Sequence, residues 1–224
     1  MPGGIIFEFP QQYLYPEGLW MTIQLSVLGL IGSIVFGIVI ALFRISPLLP
    51  LRWLGTAYVE FFRNTPLLVQ LFFLFFALPA LGIRFSDDAF VFNFRAAVLG
   101  IALYHAAYVA EVIRGGLLGV DRGQIEAARS LGLSYRQMLR EVQLPQAVRS
   151  VIPPIGNIAI ALAKNTALAK TIGVAELLAA GDYVEAATFR TIEAYGAVAL
   201  LYLVLTLPMA AGVNWLEKRL LVAR

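Results

Sequence analysis

Six ionisable side chains sit inside, or at the ends of, segments that are otherwise almost wholly apolar: Glu60, Arg63, His105, Glu111, Arg114 and Lys164. A charge in a hydrocarbon environment is costly unless matched, so such groups are candidates for function before anything else in the chain. At about 1.5 Å of rise per residue, Glu60, Arg63, Glu111 and Arg114 fall within roughly two turns of one end of their segments. Two readings of that set stand: ion pairs at a membrane interface, or a gate. Lys164 lies fourteen residues past Ser150, about 21 Å along a helix. It either snorkels to the interface or faces a pathway, where an ammonium can take a carboxylate. Asn157, Ala161 and Lys164 share one helix face, and Ala161 leaves room there. Pro153, Pro154 and Gly156 are expected to weaken the helix just before that face, and broken helices at membrane depth expose backbone groups that ligands use. His105 is the single histidine, so it makes no metal site alone. It packs by hydrogen bonds, or it joins Tyr104, Tyr108 and Glu111 (i, i+4, i+7) beside a polar stripe. No phosphate-cradling glycine motif occurs, so the chain is not expected to bind ATP. No nucleophile–base set can be defended. With no cysteine in the sequence, thiolate metal sites and disulfides are excluded.

The elements that must hold these groups follow from hydropathy. The chain has 224 residues, 60% hydrophobic and 14% charged, with mean hydropathy +0.79. Soluble domains carry roughly 45–50% apolar and about 25% charged residues. A bilayer core of about 30 Å needs roughly 20 apolar residues as a helix. Five spans are predicted: Leu19–Phe43, Pro66–Ile83 (with Thr65 as N-cap and Pro66 at the first helical position), Ala96–Ala110 closing near Arg114, Ser150–Ala169 interrupted by Lys164, and Ala194–Leu216 bent at Pro208. Five spans put the termini on opposite sides. Arg44, Arg52, Arg63, Arg114, Arg122, Arg129, Arg136, Arg140, Arg149, Lys218, Arg219 and Arg224 fall on one side, against Arg84, Arg95, Lys170 and Arg190 on the other. The basic side is cytoplasmic by the positive-inside rule. The expectation is an all-α membrane protein with its N-terminus outside and its C-terminus in the cytoplasm. Its parts are an external segment 1–18, a membrane domain 19–219, a cytoplasmic loop 115–149 and a tail 220–224. Because the basic residues are sorted by side, they mark no nucleic-acid surface; lipid is the surrounding partner. No cleavable signal peptide is expected, since the first basic residue is Arg44 and such peptides need a basic start. The external stretch Lys170–Glu193 reads as a helix against the bundle or the membrane.

The cytoplasmic loop is amphipathic. Ile125, Ala128 and Leu131 fall at helical spacing before Gly132, and Tyr135, Met138, Leu139 and Val142 after it. Gly132 allows a left-handed turn, Pro145 is expected to stop the second helix, and Arg122 can pair with Glu126 four residues on. By spacing alone this ridge either caps the bundle or fills a groove on a partner. The pattern Glu126-Ala127-Ala128-x3-Gly132-x9-Val142-x-Leu144-Pro145 resembles the EAA loop of ATP-binding-cassette importer permeases. Phe62-Arg63-Asn64-Thr65-Pro66-Leu67-Leu68-Val69-Gln70, Ala107-Tyr108-Val109-Ala110-Glu111-Val112-Ile113-Arg114-Gly115-Gly116, Gly123-Gln124, Leu144-Pro145-Gln146-Ala147 and Pro153-Pro154-x2-Asn157 are similar to the polar amino-acid branch of that family. The likeness runs from about Gly18 to Arg219.

The resemblance implies a type I importer permease fold. It implies two ATPase subunits that bind ATP and magnesium themselves, a second permease chain (identical or related), an external solute-binding protein and an amino-acid substrate. It also implies ATPase coupling through Glu126, Ala127, Ala128, Leu131, Gly132, Met138, Leu144 and Pro145. The pathway candidates are Asn157, Ala161, Lys164, Tyr108 and His105. The chain departs from the branch at Asn165 and Ala167, where Lys-Asp-Thr-Ser-Leu is common. The competing expectations are a permease for another small solute and a secondary transporter; the latter has little room for an internal repeat in five spans and no need of this loop. An intramembrane enzyme lacks a catalytic set.

Overall fold

The computed structural model describes residues 16–221, and every regular element within them is helical. In chain order these are α1 (Pro16–Ile45), α2 (Leu49–Asn64), α3 (Leu67–Ala80), α4 (Ala89–Leu118) and α5 (Arg122–Ser130). Then follow α6 (Tyr135–Ile172), α7 (Leu177–Thr188) and α8 (Thr191–Leu221). Among the described residues α1, α4, α6 and α8 are each long and apolar enough to cross a membrane, and α2 with α3 makes a fifth span bent by 105°. Most of the segment 1–18, expected to be external, and of the tail 220–224, with Arg224, lies outside the described residues.

The α1–α4 pair is the centre of the bundle. Apolar helices in lipid gain little from hydrophobic burial against each other, so close approach through small residues has to supply dispersion contact. A Cβ at Gly32 would stand 2.7 Å from Ala102 Cβ, and one at Gly37 2.6 Å from Val109 Cγ1. Leu25, Leu71, Ala96, Ala97, Ile101 and Leu162 complete a core shared by α1, α3, α4 and α6. The stretch from Lys170 to Glu193 packs on the bundle: Ala180 and Val184 of α7 meet Ala194 and Ala197 of α8.

The bend between α2 and α3 is tied by a side chain. Gln70 is 7% exposed, and its Nε2 donates to the Thr65 hydroxyl (2.7 Å) and to the carbonyls of Phe62 and Thr65 (both 3.2 Å). This corrects the predicted cap. Pro66 is itself the N-cap residue of α3, with no side-chain cap bond. Thr65 instead donates its hydroxyl back to Phe61 O at 2.8 Å, because its extended backbone (φ −114°) ends α2.

Pro145 does not stop a helix. The chain winds without a break from Tyr135 to Ile172. A proline removes an N–H and drives its ring into the carbonyl four residues back. Here one wide turn, Met138–Gln143, relieves that clash: Leu144 N donates to Leu139 O, five residues back. The same device precedes Pro79, where Leu78 N donates to Phe73 O. Pro153 and Pro154 lie inside continuous helix too, so no break opens before Asn157. The winding changes later, tightening at Thr166–Ile172. α8 likewise runs unbroken through Pro208.

Candidate functional site

The polar stripe on α4 exists. Tyr104 and Tyr108 join hydroxyls at 3.0 Å, and the Arg63 guanidinium lies 5.4 Å from the Tyr108 ring centre, within cation–π range. Glu111 accepts from Arg114 Nε (3.1 Å) and Nη2 (3.0 Å). It also accepts from Arg44 and stands 3.9 Å from Arg63. The structure thus brings Arg63 and Arg114 onto Glu111 and adds Arg44 from the end of α1; Glu60 makes no ion pair among the described residues but stands near enough to act on Arg44 by charge. The Glu60 carboxylate takes the Asn64 amide at 3.0 Å instead. The result is one carboxylate under three guanidiniums, binding the ends of α1, α2 and α4 into one block. Glu111 and Arg44 are the most enclosed of the set. Removing the carboxylate would leave like charges facing each other in a partly desolvated place.

The predicted pathway residues fall into three places. Asn157, Ala161 and Lys164 lie on the exposed face of α6, and among the described residues Lys164 joins no ion pair. Tyr108 belongs to the arginine cluster. His105 is 2% exposed and fully engaged: Nδ1 bonds Ile101 O at 2.9 Å and Nε2 bonds the Asn165 amide nitrogen at 3.2 Å. It is therefore a packing residue rather than a pathway wall. The reason is rotational: at about 100° per residue, Asn165 turns from the Lys164 face into the bundle.

The loop 115–149 is a built hairpin. Asp121 caps α5, its carboxylate accepting from Gly123 N at 2.8 Å. Past α5, Gly132 takes φ +80°. Gly132 N donates to Arg129 O (2.9 Å) and Leu133 N to Ala128 O (3.2 Å), so the last carbonyls of α5 are satisfied. Ser134 and Gln137 then form a reciprocal cap on α6; the Ser-x-x-Gln spacing announces it in the sequence. Ala128 and Met138 are buried inside the hairpin, while Leu131 is 82% and Tyr135 70% exposed. The apolar ridge is thus divided: Ala128 and Met138 hold the hairpin shut, and Leu131 and Tyr135 are what it offers outward. Glu126, Ala127, Leu144 and Pro145 are exposed. Arg122 and Glu126 form no ion pair among the described residues. Gln143 Nε2 donates to Leu117 O at 2.9 Å, fastening the hairpin to the end of α4, and Gln146 Nε2 donates to Gln124 Oε1 at 2.5 Å, tying α6 to α5. A cavity of about 800 Å³ beside it is lined by Gly116, Asp121, Gln124, Arg149, Ser150 and Glu217 among others.

At the other end sits a group that sequence reading passed over. Glu176 is fully buried and caps α7, accepting from Leu178 N (2.9 Å), Ala179 N (2.8 Å) and the Tyr202 hydroxyl (2.9 Å). Burial pushes its carboxyl above the usual carboxylate range, against the pull of those bonds. Leu177 N donates to Thr22 Oγ1 at 3.1 Å, so the cap also joins α7 to α1. Lys170 pairs with Asp182 at 2.8 Å, and Tyr195 donates to the same carboxylate at 2.9 Å.

These geometries have counterparts. The family model described as "binding-protein-dependent transport system inner membrane component" matches residues 11–222. Over 207 residues the chain is 44% identical to the probable glutamine ABC transporter permease protein GlnM of Bacillus subtilis, covering 92% of this chain and 93% of that protein. Over 212 residues it is 42% identical to the glutamate transport system permease protein GluC of Corynebacterium efficiens, with 92% and 93% covered. The crystal structure of an amino acid ABC transporter with histidines superposes with a TM-score of 0.84 at 37% identity, over 90% of this chain and 92% of that one.

Proposed function

The chain belongs to the family of binding-protein-dependent transport system inner membrane components, and from that premise we propose that it passes polar amino acids across the membrane along the exposed face of α6. It is a permease subunit of the bacterial inner membrane and not an enzyme; a separate ATPase chain hydrolyses ATP. Similar chains are glutamine and glutamate permeases, so the substrate proposed is an amino acid of that polar class, handed over by an external solute-binding protein.

The observation that carries the pathway is Lys164, an ammonium with no ion pair among the described residues, on an exposed face of an apolar helix. Once a second permease chain covers that face, the ammonium needs a matching anion to offset its desolvation. The substrate carboxylate supplies it; Asn157, or a carbonyl near Pro153, takes the substrate ammonium, and Ala161 leaves the volume between them. At the other end of α6, Leu131 and Tyr135 are the outward apolar anchors of the hairpin, and we assign to them the groove of the ATPase subunit. The full importer on this reading holds two permeases and two ATPases, the latter binding ATP and magnesium.

The test uses the reconstituted importer. Lys164→Ala should lower uptake by at least about tenfold, the worth of a charge-assisted hydrogen bond, and Ala161→Leu should block by volume. Uptake at the wild-type rate in both variants would move the pathway to another face. Co-purification with an ATPase subunit that Leu131→Asp abolishes checks the coupling assignment; retention of the ATPase by that variant would sink it.

A further inference from the structure

Asn165 is one of the positions at which the chain departs from Lys-Asp-Thr-Ser-Leu, and the structure places it on His105. The direction of each hydrogen bond follows from its partner and from burial. A carbonyl oxygen only accepts, so the bond from Nδ1 to Ile101 O (2.9 Å) puts the proton on Nδ1. In the amide orientation of the structure Asn165 Nδ2 lies 3.2 Å from Nε2 and donates to it; the flipped amide would require an imidazolium, which a site 2% exposed and without an anion disfavours. The two together describe a neutral imidazole. The surroundings agree. Tyr104 and Tyr108 ring centres lie 5.0 and 6.4 Å from that of His105, and Tyr58 of α2 spends its hydroxyl on Leu103 O at 2.7 Å. Of the helices against α4, α2 carries Arg52, Glu60 and Arg63, of which Glu60 takes the Asn64 amide and Arg63 lies by Glu111; α3 carries no titratable side chain, α1 has Glu17 and Arg44 only near its ends, and Lys164 of α6 points to the exposed face. Among the described residues His105 is in no ion pair.

The pair also sits at a mechanical junction. Asn165 is the last α-helical residue before the tighter winding of Thr166–Ile172, and it immediately follows Lys164. Whatever holds Asn165 sets the azimuth at which Lys164 leaves the helix. We propose that Asn165 holds His105 as the neutral, Nδ1-protonated tautomer, and that this uncharged pair is a positioning clamp for Lys164. The clamp rests on the reading of Lys164 as a pathway residue; the tautomer does not. A carboxylate at position 165 would instead stabilise an imidazolium and make the clamp titrate near neutral pH, whereas the amide leaves it indifferent to pH.

Because His105 is the chain's single histidine, the 15N difference spectrum between the isotope-labelled wild-type importer and its His105→Gln counterpart reports that ring alone. The expected result is one protonated and one unprotonated ring nitrogen, with Nδ1 protonated, unchanged from about pH 5.5 to about pH 8. An imidazolium or the Nε2-protonated form in that range overturns the assignment. For positioning, His105→Gln keeps a donor and an acceptor and should transport within about twofold of wild type, while His105→Phe should lose about three- to tenfold in uptake, one hydrogen bond's worth. Asn165→Asp should make uptake vary with pH, and Asn165→Asp with His105→Gln should abolish that variation. Equal losses in the Gln and Phe variants, or a flat profile for Asn165→Asp, sink the clamp. If these results hold while Lys164→Ala transports normally, the pathway reading fails and the tautomer stands.

Discussion

Glu111 is shared by three guanidiniums, and the arithmetic of charge decides what its loss would do. Its carboxylate meets Arg114 at 3.0 Å, Arg63 at 3.9 Å and Arg44 besides. Breaking a fully buried pair costs about 3–5 kcal/mol. This site keeps some contact with water, so about 2 kcal/mol is the better expectation for Glu111→Gln, between that and the exposed limit. Thermal unfolding of the purified importer should fall by several degrees, and Glu111→Asp should recover part of it. If Glu111→Gln unfolds at the wild-type temperature, the cluster is not what binds the ends of α1, α2 and α4. How far such a site can be read in advance differs residue by residue. Arg63, Glu111 and Arg114 show as charges at span ends, and spacing along one helix puts Glu111 and Arg114 within reach of each other. Arg44 shows only as a charge where a span stops, because sequence does not tell which way a terminal side chain turns. The His105–Asn165 bond, sixty residues apart in the chain, leaves no periodic trace at all.

At the scale of elements, the hairpin turns on Gly132 and the α6 helix on Pro145, and sequence reading succeeded with the first only. Glycine at a helix end has one common use, and Gly132 has it, at φ +80°. A Cβ there meets nothing within 4 Å, so the constraint is the backbone angle and not space. An L-residue in that region costs about 1–2 kcal/mol, and asparagine less. Gly132→Val should therefore tilt α5 against α6 and lower the amino acid moved per ATP hydrolysed, while Gly132→Asn should stay near wild type. Equal stoichiometry in all three would mean the hairpin angle does not matter to coupling. The proline rule fails at Pro145 because it is local. It states that an α turn cannot hold the ring, not that the helix must end; one residue of extra winding at Met138–Gln143 satisfies it. That extra residue lets the hairpin and the Lys164 face belong to one rigid element. A push on Tyr135 then reaches the proposed pathway through a single continuous helix, without crossing a loop.

The whole molecule has two ends, and contacts sort the loops between them. A Cβ at Gly18 would touch Glu176 O and Ala180 Cβ, and one at Gly173 would touch Asn93 Nδ2, so the start of α1, the start of α4 and α7 share one end. Gln143 bonded to Leu117 O, and Arg44 bonded to Glu111, gather the ends of α1 and α4 with α2 and the hairpin at the other. These are the two groups into which the loops fall when basic residues are counted, which is why span number and pairing of loops were legible from hydropathy alone. Which end faces the cytoplasm is a separate matter. It rests on the basic residues gathered at the hairpin end, since Lys and Arg resist translocation. The sequence has no cysteine, so single cysteines report without background. Asp182 is a poor site, because it holds Lys170 and Tyr195; its neighbour Tyr183 is exposed. Cysteines at Asp87 and Tyr183 should react with an impermeant thiol reagent added to intact cells, and one at Arg136 should react only after the membrane is opened. The reverse pattern would put the hairpin outside, away from any ATPase, and would overturn the orientation and the coupling assignment together.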